Sequence, residues 1–265
     1  MKKIIFCLMF CMMGAIVFFA QENYTKSYFG IPTGTIKGAC VTYNDGFEVT
    51  ITPGYGECND HYWEITESRD VDLSVVINYY DDELIFIYID DSASSYPNPY
   101  IYGTRSTSPD WNVSRLGWYI GDDRVIGVVF SHSYVSGGIP KFTSHGEGNL
   151  IRFIKDEPEV IVNGGTPTGS WIQITSLSDI IPINATAVNV FAYETDSGNV
   201  DLSLTAYETA TTGKVCYELS CAGYNRGSLS GWIQLGASKD ISWRGASDDD
   251  YESTYVYLNG FEYER

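Results

Sequence analysis

Glu57, Cys58, Asp60 and His61 fall within five consecutive positions, and these are the residue types from which metal centres and activated thiols are built. A zinc centre needs paired thiols or imidazoles at metal spacing. Cys58 has neither a second cysteine nor a second histidine close by in the chain. A nucleophilic thiol would need His61 as its base. The competing role is a disulfide. Beyond the first twenty residues the cysteines are Cys40, Cys58, Cys216 and Cys221. An even set in an exported chain reads as disulfides, and four cysteines allow three pairings. Cys40 with Cys58 and Cys216 with Cys221 is the arrangement that needs no contact between distant segments. The expectation is a disulfide-held strand end in place of a metal or thiol site.

Other chemistry is thinly represented. The chain lacks the nucleophile elbow, the zinc-protease helix motif, the P-loop and the dinucleotide-binding fingerprint. Its three histidines are His61, His132 and His145, so a serine-type triad would have to use one of them. Glycoside hydrolysis needs two carboxylates roughly 5 to 9.5 Å apart across a cleft. With 34 acidic residues, spacing in the chain selects no such pair. Calcium has more specific candidates: Asp196, Asn199 and Asp201 around Gly198, and Asp248 and Asp250 in a run of carboxylates. Such loops supply some of the six to eight oxygens calcium takes, but the first departs from the EF-hand pattern. A hairpin turn and a solvated acidic loop are the plainer expectation. Tyr96, Tyr100, Tyr102 and Trp111 lie in Pro-rich loop sequence, where flat rings either stack on sugars or cover the end of a sandwich. Asn23, Asn112 and Asn184 begin glycosylation sequons.

The elements that must position these residues are strands. The leading MKKIIFCLMFCMMGAIVFFA has a basic start, an apolar middle and Ala20 at its end, which reads as a secretory signal peptide over 1–20. A retained anchor is the alternative, because about 20 apolar residues just span a bilayer. The formal net charge is −18, which disfavours nucleic acid and anionic membranes and suits divalent cations or neutral partners such as glycans. With 21 Tyr and 6 Trp the chain is too aromatic to be disordered.

Helical periodicity is almost absent. Runs rich in Val, Ile, Tyr and Thr alternate with Gly, Asn, Asp and Ser turns, the pattern of an all-β sandwich or barrel. Ile36 to Tyr43 and Phe47 to Thr52 should form a hairpin about Asn44-Asp45-Gly46, where positive φ is tolerated. Glu83 to Ile89 and Arg124 to Phe130 are apolar on both faces and should be central strands. Val200 to Tyr207 alternates and should be half exposed. A composition shift near 156 suggests two β-sandwich, jelly-roll-like domains in tandem, 36–157 and 158–265. A flexible segment over 21–35 precedes them and would serve as a donor strand.

The stretch from Gly54 to Val129 resembles a β-rich module of phage tail-fibre and other virion appendage proteins. The matching residues are Glu57-Cys58-Asn59-Asp60, Phe86-Ile87-Tyr88-Ile89-Asp90, Ser106-Thr107-Ser108-Pro109, Gly117-Trp118-Tyr119 and Arg124-Val125-Ile126-Gly127. Further on, Gly169 to Ile174, Leu177 to Pro182 and Ala185 to Val188 resemble a sandwich opening of such proteins. The resemblance implies a structural or receptor-binding role with no catalytic residues to carry over, and calcium at the acidic loops is the one cofactor the residues themselves suggest. A signal peptide and paired cysteines depart from phage virion proteins and fit an exported appendage or filament subunit. The expectation is therefore a secreted, non-enzymatic protein that self-associates into a homopolymer. A secreted glycan-binding or adhesion module and a glycoside hydrolase are the alternatives.

Overall fold

The computed structural model describes residues 33–58, 61–77, 83–90, 98–105, 108–131, 138–145, 150–153, 159–166, 170–174, 177, 180–206, 219–246 and 253–265. The expected signal peptide and nearly all of the 21–35 segment lie outside them. Among the described residues no helix is long and apolar enough to cross a membrane.

The chain is all-β. Its first strands are β1 (Ile36–Gly38), β2 (Val41–Tyr43), β3 (Glu48–Ile51), β4 (Gly54–Cys58), β5 (His61–Ile65) and β6 (Arg69–Asp72). Then come β7 (Glu83–Ile89), β8 (Ile101–Thr104), β9 (Asp110–Asn112), β10 (Gly117–Ile120) and β11 (Asp123–Ser131). The second half adds β12 (Phe142–His145), β13 (Leu150–Phe153), β14 (Glu159–Gly165) and β15 (Ile172–Ile174). It ends with β16 (Ala185–Ala206), β17 (Leu219–Gln234), β18 (Ile241–Ala246) and β19 (Ser253–Tyr263).

Two three-stranded sheets, β1-β4-β5 and β2-β3-β6, accompany a five-stranded sheet ordered β8-β7-β11-β10-β9. The largest sheet runs β12-β13-β19-β16-β18-β15, with β14 also paired to β19 and β17 to β16. The two apolar runs behave as expected: β7 lies between β8 and β11, and every residue of β11 after Asp123 is buried.

The expected first hairpin is divided. Val41 pairs Ile51 and Tyr43 pairs Val49, but β1 leaves for another sheet and pairs β4. The break is at Gly38 and Ala39, both at positive φ (65° and 49°), which swing the chain from one sheet to the other. The turn is also closed differently, since neither Asp45 nor Gly46 has positive φ. Instead the Asp45 carboxylate accepts the Phe47 N–H at 2.7 Å, as an Asx turn does. Leu202 to Ala206 are buried on both faces, not half exposed, and that part of β16 is paired by β17 on one side and β18 on the other. Asp196 to Asp201 lie inside β16, where pairing with β17 slips between Thr195 and Asn199, and not in a hairpin turn.

The boundary drawn after 157 cuts across a sheet. β12 and β13 come from the amino-terminal side, yet β13 pairs β19, with Ile151 opposite Phe261. Phe130 of β11 packs on Phe153 of β13 at 6.3 Å between ring centroids, Phe153 on Phe261 at 6.1 Å, and Phe261 beside Tyr263 at 6.0 Å. One cluster of buried apolar residues runs from Ile36 to Tyr263. The halves share a core.

Arg265 locks that arrangement. Its Nε donates to Ile126 O at 2.9 Å, and its Nη2 to Gly38 O and Ala39 O at 2.9 and 2.8 Å. Arg124, fully buried, donates in turn to the main-chain oxygens of Gly34 and Arg265 at 3.0 and 2.9 Å. Replacing Arg265 with Ala leaves three carbonyls at the sheet corner without this donor, and such groups cost about 1–3 kcal/mol each when they stay dry. Partial rehydration lowers the sum, so urea unfolding should show a loss of about 2–4 kcal/mol, with Arg265→Lys restoring only part because an ammonium lacks the planar fork. A loss below about 0.5 kcal/mol would show that the corner holds itself.

Tyr263 supplies a pH signature. Burial pushes its phenol up to about 12, with the Arg265 charge acting weakly the other way. A folded pKa above the unfolded value of about 10 gives stability that is complete below pH 10 and is lost as pH rises towards 12. Two pKa units correspond to about 3 kcal/mol. The melting temperature of the wild type should therefore fall steeply between pH 10 and 12, and Tyr263→Phe should flatten that fall.

Candidate functional site

The Glu57 to His61 cluster is the closed end of a hairpin. Cys58 of β4 is the cross-strand partner of His61 of β5; Asn59 and Asp60 between them lie outside the described residues. The Cys58 thiol is fully buried and points its Sγ at Asp122 O, 3.7 Å away, so it is not presented to a substrate. Glu57 accepts the Gly34 N–H at 2.8 Å and so ties the chain entry to the hairpin.

The expected Cys40–Cys58 bridge is absent, and both are thiols. Register gives the reason. Ile36 pairs Gly56 and Gly38 pairs Gly54, so Cys40 falls opposite Thr52, whose N–H reaches the Cys40 carbonyl at 3.0 Å. Cys58 lies at the far end of β4, four residues beyond Gly54 and roughly 13 Å from it at about 3.3 Å per residue, whereas Cys40 lies past the other end of that pairing. A disulfide needs Cα atoms within about 7 Å. Cys216 lies outside the described residues, as does the side chain of Cys221 on β17.

Of the calcium candidates, Asp248 and Asp250 lie outside the described residues, as do the side chains of Asp196, Asn199 and Asp201. Among the described residues no group of His, Cys, Asp or Glu is placed to hold a metal ion. Of the sequons, Asn23 lies outside. Asn112 caps a turn, its Oδ1 accepting the Ser114 and Arg115 N–H groups at 3.1 Å each. Asn184 is 2% exposed and its amide donates to Glu264 O, so the folded chain does not offer it for glycosylation. Of the segment expected to serve as donor strand, Gly34 and Thr35 are engaged by their own chain: Glu57 N–H donates to Thr35 O at 3.0 Å.

The loop aromatics form two exposed groups. Tyr100 and Tyr102, 59% and 44% exposed, continue into Tyr88 with ring centroids 6.3 and 5.8 Å apart. Trp111 meets its cross-strand partner Trp118 edge to face at 5.7 Å. Tyr96 lies outside the described residues. None of these rings lines the groove on the main sheet.

A concave site lies elsewhere, on the outer face of the main sheet, and sequence reading missed it. A groove of about 760 Å³ crosses β12, β13, β19, β16 and β17. Thr143, His145 and Arg152 stand on one side, Phe191, Tyr193 and Tyr257 on the other, and Asn189 and Asn259 complete its polar lining. Register makes it. Phe191 faces Tyr257 and Tyr193 faces Tyr255 across β16 and β19. Tyr193 and Tyr255 stack at 4.9 Å, Tyr193 and Tyr257 at 6.0 Å, and Phe191 lies 6.0 Å from Tyr257. The stacked tyrosines offer the groove ring edges and phenolic oxygens. Phe191 is tilted 34° from Tyr257 and 36% exposed, and it offers apolar surface. A hydrogen bond with Tyr193, reinforced by burial, pushes the Tyr257 phenol up to about 12, so it is neutral at physiological pH.

A β-bulge shapes the centre. Asn189 pairs Gly260 while Val190 pairs Leu258, which leaves Asn259 as the extra residue on β19. Bulges re-aim side chains, and here the Asn259 carboxamide joins the groove. Gly260 is required beside it, because a Cβ there would sit 2.2 Å from Ile151 O of β13. The bulge also reverses the alternation of β19. Tyr255 and Tyr257 point outward before it, and Phe261 and Tyr263 point into the core after it. The sequence signal for the groove was the outward aromatic alternation of Phe191-Ala192-Tyr193 and Tyr255-Val256-Tyr257. Nothing local announced that the two would be adjacent.

No protein-family model matches this chain, and no curated protein matches it in sequence.

Proposed function

We propose that this chain is an exported binding module for glycans, and that the groove over β12, β13, β19, β16 and β17 is its binding face. The observation that carries the reading is the lining: one exposed ring, a row of phenolic edges, two carboxamides, a guanidinium and an imidazole in one groove, with no carboxylate among the lining residues. Sugars present apolar C–H faces and dense hydroxyls, and a site for them combines flat apolar surface with a few fixed polar groups. The groove volume falls in the range of about 300–1,000 Å³ typical of small-ligand sites. Hydrolysis is the weaker reading here, since it needs a carboxylate pair. Titration calorimetry against a panel of soluble oligosaccharides should find a ligand whose affinity falls by about tenfold or more in Phe191→Ala and in Tyr257→Ala. Melting temperatures of both variants should stay near wild type. A ligand bound equally well by both variants would place binding somewhere else.

A second reading, a subunit of an extracellular filament or appendage related to virion appendage modules, has its own support. β17 is 16 residues long and, among the described residues, pairs only with β16. A long strand with one unpaired edge is a template for adding a strand from another chain. On this reading the donor comes from residues 21–32, because Thr35 is already held by Glu57. The mature chain should form regular fibres under negative-stain electron microscopy, and a chain starting at Thr33 should not. Equal assembly of the two would end the donor-strand idea.

A further inference from the structure

We infer that the groove selects acidic oligosaccharides, with Arg152 as the residue that receives the carboxylate or sulfate of the sugar; this rests on the glycan reading above. The chain carries 34 acidic residues against 16 Lys plus Arg, so most of its surface repels anions. The groove is an exception. Its guanidinium, Arg152, and its imidazole, His145, come from adjacent strands, and no carboxylate lines it.

Arg152 is also uncommitted. It stands on the outward face of β13, opposite Thr143 of β12 and Gly260 of β19. Its exposed guanidinium makes no ion pair with any carboxylate of the described residues, in contrast to Arg105 with Glu83 at 2.8 Å and Arg115 with Asp122 at 2.7 Å. Glu262 sits two pairs along, opposite Leu150, and makes no ion pair with it. Gly260 puts no side chain between Arg152 and Asn189, and both line the groove. His145, its ring nitrogen 3.1 Å from Thr143 Oγ1, adds a second polar group on the same wall.

A planar guanidinium with all its donors available matches a carboxylate or sulfate through two parallel N–H···O bonds. The opposite wall, of phenolic edges and Phe191, would hold the sugar ring that carries the anion. The carboxamides of Asn189 and Asn259 lie between the walls and each offers both a donor and an acceptor to the vicinal hydroxyls. An acidic peptide would also satisfy Arg152 and bond the carboxamides through its main chain; the exposed Phe191 ring beside these polar groups favours the sugar, and the test below separates the two. Long polyanions would be opposed by the net charge of the rest of the surface, which points to short acidic oligosaccharides or to acidic sugars at chain ends.

The test is calorimetry on the purified chain with four probes: a tetragalacturonate, a sulfated heparin-derived tetrasaccharide, neutral cellotetraose, and tetraglutamate. At least one acidic tetrasaccharide should bind about tenfold tighter than cellotetraose, and the two acidic probes separate carboxylate from sulfate recognition. Arg152→Gln should erase that preference and Arg152→Lys should keep part of it. Phe191→Ala should weaken all the saccharides together. If acidic and neutral saccharides bind alike, or the preference survives in Arg152→Gln, the charge selectivity is wrong while the groove remains a glycan site. Tetraglutamate binding as tightly as the acidic sugars would also overturn it, in favour of an acidic peptide. If no saccharide binds wild type at the groove, this inference and the glycan reading fall together.

Discussion

The fold depends on how the end of β19 meets the corner between β1 and β2. Gly38 and Ala39 turn the chain with consecutive positive φ values, and such a corner leaves carbonyls pointing where no strand can take them. Arg265 takes them, and Ile126 O as well, with one guanidinium. The guanidinium's rigid fork offers several donors in fixed directions, which lets one side chain meet three carbonyls. Arg124 completes the clasp by donating to the main chain on both sides, at Gly34 and Arg265, with the Tyr119 ring 5.1 Å beneath its guanidinium. The consequence reaches across the molecule. By fixing the end of β19 against β11, the clasp sets Phe261 and Tyr263 over Phe130 and Phe153, and the two halves of the chain become the two sides of one core.

That anchoring also sets the outer face. β19 is buried from Phe261 onward and carries the ridge of tyrosines before it, and the change of side is made by one extra residue, Asn259. Without the bulge, Tyr255, Tyr257, Phe261 and Tyr263 would share a face, because they are all odd-numbered positions of one strand. With it, two aromatics are spent on the core and two on the groove. Core packing and the groove are therefore coupled through a single backbone irregularity, held in place by a glycine that allows Ile151 O to approach.

The groove sits on paired strands, not on loops. Its side chains are fixed by ladders on both sides of β16 and β19, which limits the entropy lost when a ligand binds. Such preorganisation suits a binding face that meets hydroxyl-rich ligands, where each hydrogen bond gains little net energy and cannot offset large reordering. The exposed Tyr88-Tyr100-Tyr102 and Trp111-Trp118 groups lie outside this groove, although their composition looks similar.

Much of the local structure was legible in the residues. Val, Ile and Tyr alternation gave an all-β chain, and the doubly apolar runs of β7 and β11 identified central strands, because burial on both faces leaves no room for a polar side. The even cysteine count misled, since counting says nothing about register, and register put Cys40 and Cys58 beyond opposite ends of the β1–β4 pairing. The boundary near 157 misled for a related reason: a shift in composition marks a change in local sequence, while sheets are closed by strands that meet from any distance. The groove was half visible, as outward aromatics in two strands far apart in the chain. What the sequence by itself determined is the period of each strand and which side chains it can bury, since these follow from local sterics and hydrophobicity. Only the tertiary structure decided that β16 lies beside β19, that one bulge reverses the faces of β19, and that Arg152 stands across from Phe191, because non-local pairing is chosen by the packing of the whole core.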